Sequence, residues 1–205
     1  MDPADVLDAV RDGAATELDR LGSDKLLVAA TGASMTTETV AGVALARERG
    51  VAATLDDWAG TVDGPAADAL RRAGAAAGER ADRIAAAVAD ADPGDGDALT
   101  AHLAGVEGTA ARVGAGLIAV PLVADRFYLQ LVSYFVNEAD EGRADLFREL
   151  RTSASDLDPA GDALGVLDEG GRERARDAAL DAVDAAYEDY AETLRGMGLD
   201  PKPIC

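Results

Sequence analysis

The sequence predicts an all-α fold, and three observations carry that reading. Alanine is abundant while aromatic residues make up only 4% of the 205-residue chain, a composition that suits close-packed helices more than layered strands. Apolar residues recur at helical spacing through several long stretches. No stretch alternates apolar and polar residues as a half-buried strand would.

The elements follow in order. Asp2-Pro3 reads as an N-cap with proline at the first helical position, opening a short helix that ends near Leu21-Gly22. Ser23 is expected to cap a second short turn through Lys25–Val28 that stops at Thr31-Gly32. Thr36 or Thr37 starts the first long helix, whose face carries Val40, Val43, Ala44, Val51, Leu55 and Trp58. Asp63-Gly64-Pro65 is a turn and a new start. A second long helix then runs to about Asp90 with Leu70, Ala73, Ala77, Ala81, Ile84 and Val88 as its stripe. So short a connection makes these two helices antiparallel neighbours.

Asp92–Asp97 reads as a loop. A third helix over Gly108–Val136 is apolar nearly all round and is expected to be central. Asn137–Glu141 breaks it before a polar continuation over Arg143–Ser153. Asp158–Gly161 reads as a linker, and a last long helix spans Gly171–Arg195 before Pro201 and Pro203 forbid continuation. The whole reads as one domain, residues 1–205, with short helices over 3–31, a bundle over 36–196 and a tail over 197–205. The most apolar stretch, Leu117–Val136, contains Pro121, Asp125, Arg126 and Gln130, so a helix buried in a bundle is expected there and not a membrane span.

The formal net charge is −20, and twenty-seven aspartates face two lysines. Such a surface repels itself in dilute buffer, whereas in roughly molar salt the screening length shrinks to about 3 Å. The acids are spread along the chain and not gathered in a tail, which reads as adaptation to a salt-filled interior. The same charge opposes phosphate, so nucleic acid is not an expected partner. Cys205 is the single cysteine and closes the sequence, which rules out an internal disulfide and fits a reducing compartment. Met1-Asp2-Pro3 lacks the basic and apolar regions of a secretory signal. A cytoplasmic location is therefore expected.

Several segments resemble a haloarchaeal family described as rubrerythrin-like or ferritin-like. They are Leu21–Thr31 (LGSDKLLVAAT), Phe135–Asp140 (FVNEAD), Arg143–Arg148 (RADLFR) and the tail Leu194–Cys205 (LRGMGLDPKPIC). The resemblance implies a ferritin-like four-helix bundle with extra short helices and a di-iron or peroxide-related ancestry. Some relatives carry the label of transcription antitermination proteins.

A di-iron carboxylate site takes a glutamate from each of two helices and Glu-x-x-His from each of the other two. This chain has one histidine, His102, and no Glu-x-x-His. Where the motif would fall stands Ala77-Gly78-Glu79-Arg80, and Arg80 repels a cation. Glu48 lies level with this point across the hairpin turn, but Glu79 shares a polar face with Asp68, Arg72 and Arg83 and is expected in solvent. The aspartates of the 92–97 loop lack the alternating ligand pattern of a calcium loop, and Leu103 stands where a glutamate is required. No metal or other cofactor is therefore expected. No glycine-rich phosphate loop and no serine–histidine constellation is present, and no catalytic residue is singled out.

Other charges fall inside apolar stripes. Arg47 is in phase with Val40, Val51 and Trp58; Asp125 and Arg126 sit in the apolar third helix; Asp184 is in phase with Leu180, Tyr187 and Leu194. Charges so placed need partners. The expectation is an interior polar network drawn from Arg47, Glu48, Arg80, Asp125, Arg126 and Asp184, with Arg47 on Asp125 or Asp184. These observations favour a non-catalytic, metal-depleted bundle that acts through protein contacts, as a homodimer or with another protein. The alternatives are a rubrerythrin-like oxidoreductase with a site reshaped from Glu48, Asp125, Glu138 or Asp184, and a transcription-associated factor.

Overall fold

Side-chain caps written into the sequence set five of the helix starts in the computed structural model, which describes residues 1–91, 93–94 and 96–202. Asp2 accepts from the Asp5 N–H at 2.9 Å while its own N–H donates to Asp5, a reciprocal capping box in front of Pro3. It opens α1 (Pro3–Gly13), followed by α2 (Ala15–Leu21) and α3 (Lys25–Ala30). Thr36 caps α4 (Thr37–Ala59) through the Thr39 N–H. Gly64, at φ +67°, and Pro65 turn the chain into α5 (Gly64–Ala87). Asp97, Asp140 and Asp168 cap α6 (Ala98–Ala104), α9 (Glu141–Ala154) and α11 (Glu169–Gly196). The last cap starts α11 two residues before the expected Gly171. Asp158–Gly161, expected as a linker, is the first turn of α10 (Asp158–Gly165), because Pro159 sits at an early helical position where its missing N–H costs nothing.

The apolar third helix is continuous from Thr109 to Asn137 but not uniform. It runs as α7 (Thr109–Gly114), a π-helical segment (Ala115–Ala119) and α8 (Val120–Asn137). Pro121 has no N–H to return to the Leu117 carbonyl, and the wider turn lies directly before it. By length and composition this run could cross a bilayer, yet 67% of its most apolar window is buried inside the protein. Gly114 allows α7 to touch the α11 backbone, since a Cβ there would lie 1.8 Å from the Ala175 carbonyl oxygen.

Three helices end in left-handed caps closed by a 6→1 hydrogen bond. Gly32 and Gly198 supply the positive φ after α3 and α11, but after α8 the residue is Ala139, at φ +56°, with the Asp140 N–H on the Phe135 carbonyl.

The result is all-α, with no strand among the described residues. α4 and α5 pair as the expected hairpin, α8 folds back on α9, and α11 lies along α7, the π segment and α6. Buried apolar residues from all eleven α-helices of the described residues form one core. Alanines of α4, α5 and α11 fill much of it, and Tyr128, Phe127, Phe135 and Phe147 supply the bulk in the α8–α9 half.

Candidate functional site

Glu48 stands midway along α4, where the residues one turn away on its face are Ala44, Leu45, Val51 and Ala52, and only 2% of it meets solvent. A carboxylate there requires donors. Arg80 of α5 donates from Nε to Oε2 at 2.9 Å and brings Nη2 into ion-pair contact with the same oxygen at 2.8 Å. Tyr128 of α8 donates its hydroxyl to Oε1 at 2.8 Å. The remaining arm of Arg80 turns to α9, where Nη1 lies 3.2 Å from the Ser153 Oγ and 3.4 Å from its carbonyl. Four helices are thus joined through one buried ion pair. Burial, and then the Glu48 charge, push the Tyr128 phenol well above its usual range, so it stays a donor.

One residue away, Arg47 leaves α4 in another direction. Its guanidinium packs 4.4 Å from the centre of the Phe127 ring and its Nε donates to Asp97. Asp97 also accepts from the Thr100 N–H and so pins the start of α6 onto α4. Burial pushes the Asp97 carboxyl up, but the Arg47 charge and the hydrogen bonds from Thr100 and Arg47 outweigh it and hold the group below its ordinary value. Asp189 of α11 lines the same small cavity of about 40 Å³ and is pushed up, by partial burial first and then by the charge of Asp97.

The expected network is therefore divided. Arg47, Glu48 and Arg80 are buried, and Glu48 and Arg80 are directly bonded. Arg47 pairs with Asp97, not with Asp125 or Asp184. Asp125 faces α9, where Arg151 holds it at 2.9 Å and Arg126 stands 3.8 Å away, all three half-buried. Asp184 is exposed on α11; partial burial and the charges of Glu17, Glu188 and Asp181 raise its carboxyl. Helical phase places a residue on a face of its own helix but does not decide whether that position is covered, and here Asp184 stays exposed.

Tyr128, Asp97, Ser153 and Arg151 complete these contacts and are not among the residues expected in the interior network. Asp97 carries a detectable signal, the Asp-x-x-Thr cap opening a short apolar helix.

The donor set does not fit a di-iron centre. Both oxygens of Glu48 are engaged by Arg80 and Tyr128, Glu79 and Glu138 are exposed, and His102 lies on α6. Among the described residues no three His, Cys, Asp or Glu side chains converge as a metal site would require. Asp92, Asp95 and Cys205, considered above as ligands or as a thiol, lie outside the described residues.

A cleft of about 720 Å³ opens between α5, α9 and α10 and reaches Arg80 at its inner end. Its floor is Val51 and Leu55 of α4, Gly116 of the π segment and Val120. No protein-family model, curated protein or solved structure matches this chain.

Proposed function

We propose that this chain is a non-catalytic, metal-depleted ferritin-like bundle of a high-salt cytoplasm that acts through protein contacts. The observation that carries the reading is the state of Glu48. In a bundle that holds metal, a mid-helix carboxylate offers its oxygens to the ion; here Arg80 fixes one and Tyr128 the other. The guanidinium supplies the positive charge a cation would bring, and it cannot be displaced by deprotonation. The net charge of −20 and the near absence of lysine support the high-salt setting, and the four resembling segments support the family.

The test is metal analysis of the full chain purified in about molar potassium chloride. The reading expects far less than one iron or manganese per chain, before and after incubation with either ion. Near-stoichiometric metal that is lost in Glu48→Gln would overturn it in favour of the rubrerythrin-like oxidoreductase.

A further inference from the structure

The cleft above Arg80 has features that the proposed function does not use. Its volume, about 720 Å³, lies within the roughly 300–1,000 Å³ usual for small-molecule sites. Three alanines, Ala73, Ala76 and Ala154, line its walls and leave the space open. The floor is core: Val51 and Leu55 are 2% and 1% exposed. It also includes the widened π turn, a feature often found at binding sites.

The charges along the cleft can be paired off. Arg80 is neutralised by Glu48, and Arg72 by Asp162 at 2.6 Å. Asp156 and Asp158, both exposed at the mouth, remain with no cationic partner among the described residues. The N-terminus of α10 beside them offsets only about half a charge. An anion entering here meets two carboxylates and no free cation. A molecule with an apolar body and a positive head meets complementary surfaces at both depths.

From this we propose that the cleft is a binding site for a small organic cation with an apolar body, of the alkyl- or arylammonium class. The body lies over Val51, Leu55 and Val120, and the ammonium group stays at the mouth near Asp156 and Asp158. In high salt the charge attraction is screened, so apolar burial supplies most of the affinity and the carboxylates supply the sign preference.

Trp58 is the single tryptophan, and a Cβ on Gly116 would lie 2.9 Å from its ring, which makes it a reporter directly behind the floor. The experiment titrates the full chain with hexyltrimethylammonium, hexanoate and 1-hexanol, reading Trp58 fluorescence and calorimetric heat. The expected result is saturable binding of the cation, about tenfold or more tighter than hexanoate at the lowest potassium chloride at which circular dichroism shows the chain folded, with the alcohol between them. Asp156→Asn with Asp158→Asn should erase the preference while keeping the alcohol's affinity. Ala76→Phe should abolish binding of all three, and Ala73→Leu serves if that variant fails to fold by circular dichroism. Hexanoate binding as tightly as the cation, cation affinity unchanged in a folded cavity-filling variant, or no saturable binding of any probe would each overturn the proposal.

Discussion

Arg80 places two nitrogens on one oxygen of Glu48, Nε and Nη2 both reaching Oε2, and so leaves Oε1 to Tyr128. The pair is buried on both sides, and removing one member strands the other. Arg80→Ala is therefore expected to cost about 3–5 kcal/mol, whereas Glu48→Leu combined with Arg80→Met should cost far less or nothing. Urea unfolding in high potassium chloride measures both. A loss below about 1 kcal/mol for Arg80→Ala would place the pair among weak surface bridges and defeat the buried ionic reading.

Tyr128→Phe leaves Oε1 of Glu48 without its donor, at an expected cost of about 1–3 kcal/mol. The same contact predicts a spectroscopic result. In a tyrosinate titration, the Tyr128 phenol, raised by burial and then by Glu48, should stay protonated at a pH where free tyrosine ionises. All four tyrosines ionising together near the ordinary value, with the fold intact, would contradict this.

Asp97 and Asp189 face one small cavity with opposite consequences for pH. The folded value of Asp97 lies below its ordinary 3.8, so its stabilisation is complete above that value and is lost as pH falls through the lowered one. The folded value of Asp189 lies above 3.8, so the folded state is penalised as pH rises through that interval and the penalty persists at neutrality. Asp97→Asn should lower the urea midpoint at neutral pH and flatten the acid limb. Asp189→Asn should raise the midpoint at neutral pH and leave it unchanged in strong acid. A lowered neutral midpoint in Asp189→Asn would show a stabilising contact and refute the assignment.

The hairpin of α4 and α5 was legible from periodicity and from Asp63-Gly64-Pro65, because a short turn admits one arrangement of two amphipathic helices. The burial of the third helix was legible from its all-round apolarity. The partners of the interior charges were less so. Glu48 and Arg80 meet because they stand at matching heights of that hairpin, which sequence can place. Arg47 and Asp97 meet because a short helix docks on α4 after a loop of unreadable path. Asp184 has the phase of Leu180 and Tyr187 on α11, yet it is exposed while Leu180 meets Gly13 of α1 and Tyr187 meets Arg20 of α2. The Pro and Gly of α10 suggest a break in the sequence, although proline at a helix start does the opposite.

The α8 terminus carries a correctable strain. Ala139 adopts φ +56°, where a side chain costs about 1–2 kcal/mol relative to glycine. Glycine also gains unfolded-state entropy worth about 0.4–1 kcal/mol, which offsets part of the gain. Ala139→Gly is thus expected to stabilise the protein by about 0.5–1 kcal/mol. Gly32→Ala and Gly198→Ala provide the reverse experiment. A Cβ at either position meets nothing within 4 Å, so any loss there reports the backbone alone. Ala139→Gly lowering the melting temperature would show that the left-handed cap does not form.

The acidic surface makes the strongest demand on solvent. With a net charge of −20 on 205 residues, the folded chain concentrates like charges that the unfolded chain separates, so self-repulsion favours unfolding. Screening falls from a length of about 3 Å at 1 M salt to about 10 Å at 0.1 M, which restores that repulsion on dilution. The melting temperature is therefore expected to fall as potassium chloride is lowered across this range. Sodium chloride should act like potassium chloride, since screening depends on ionic strength, whereas an uncharged osmolyte at matched osmolality should recover only part of the loss. A melting temperature independent of salt, or one fully restored by the osmolyte, would mean that charge repulsion is not what the salt relieves.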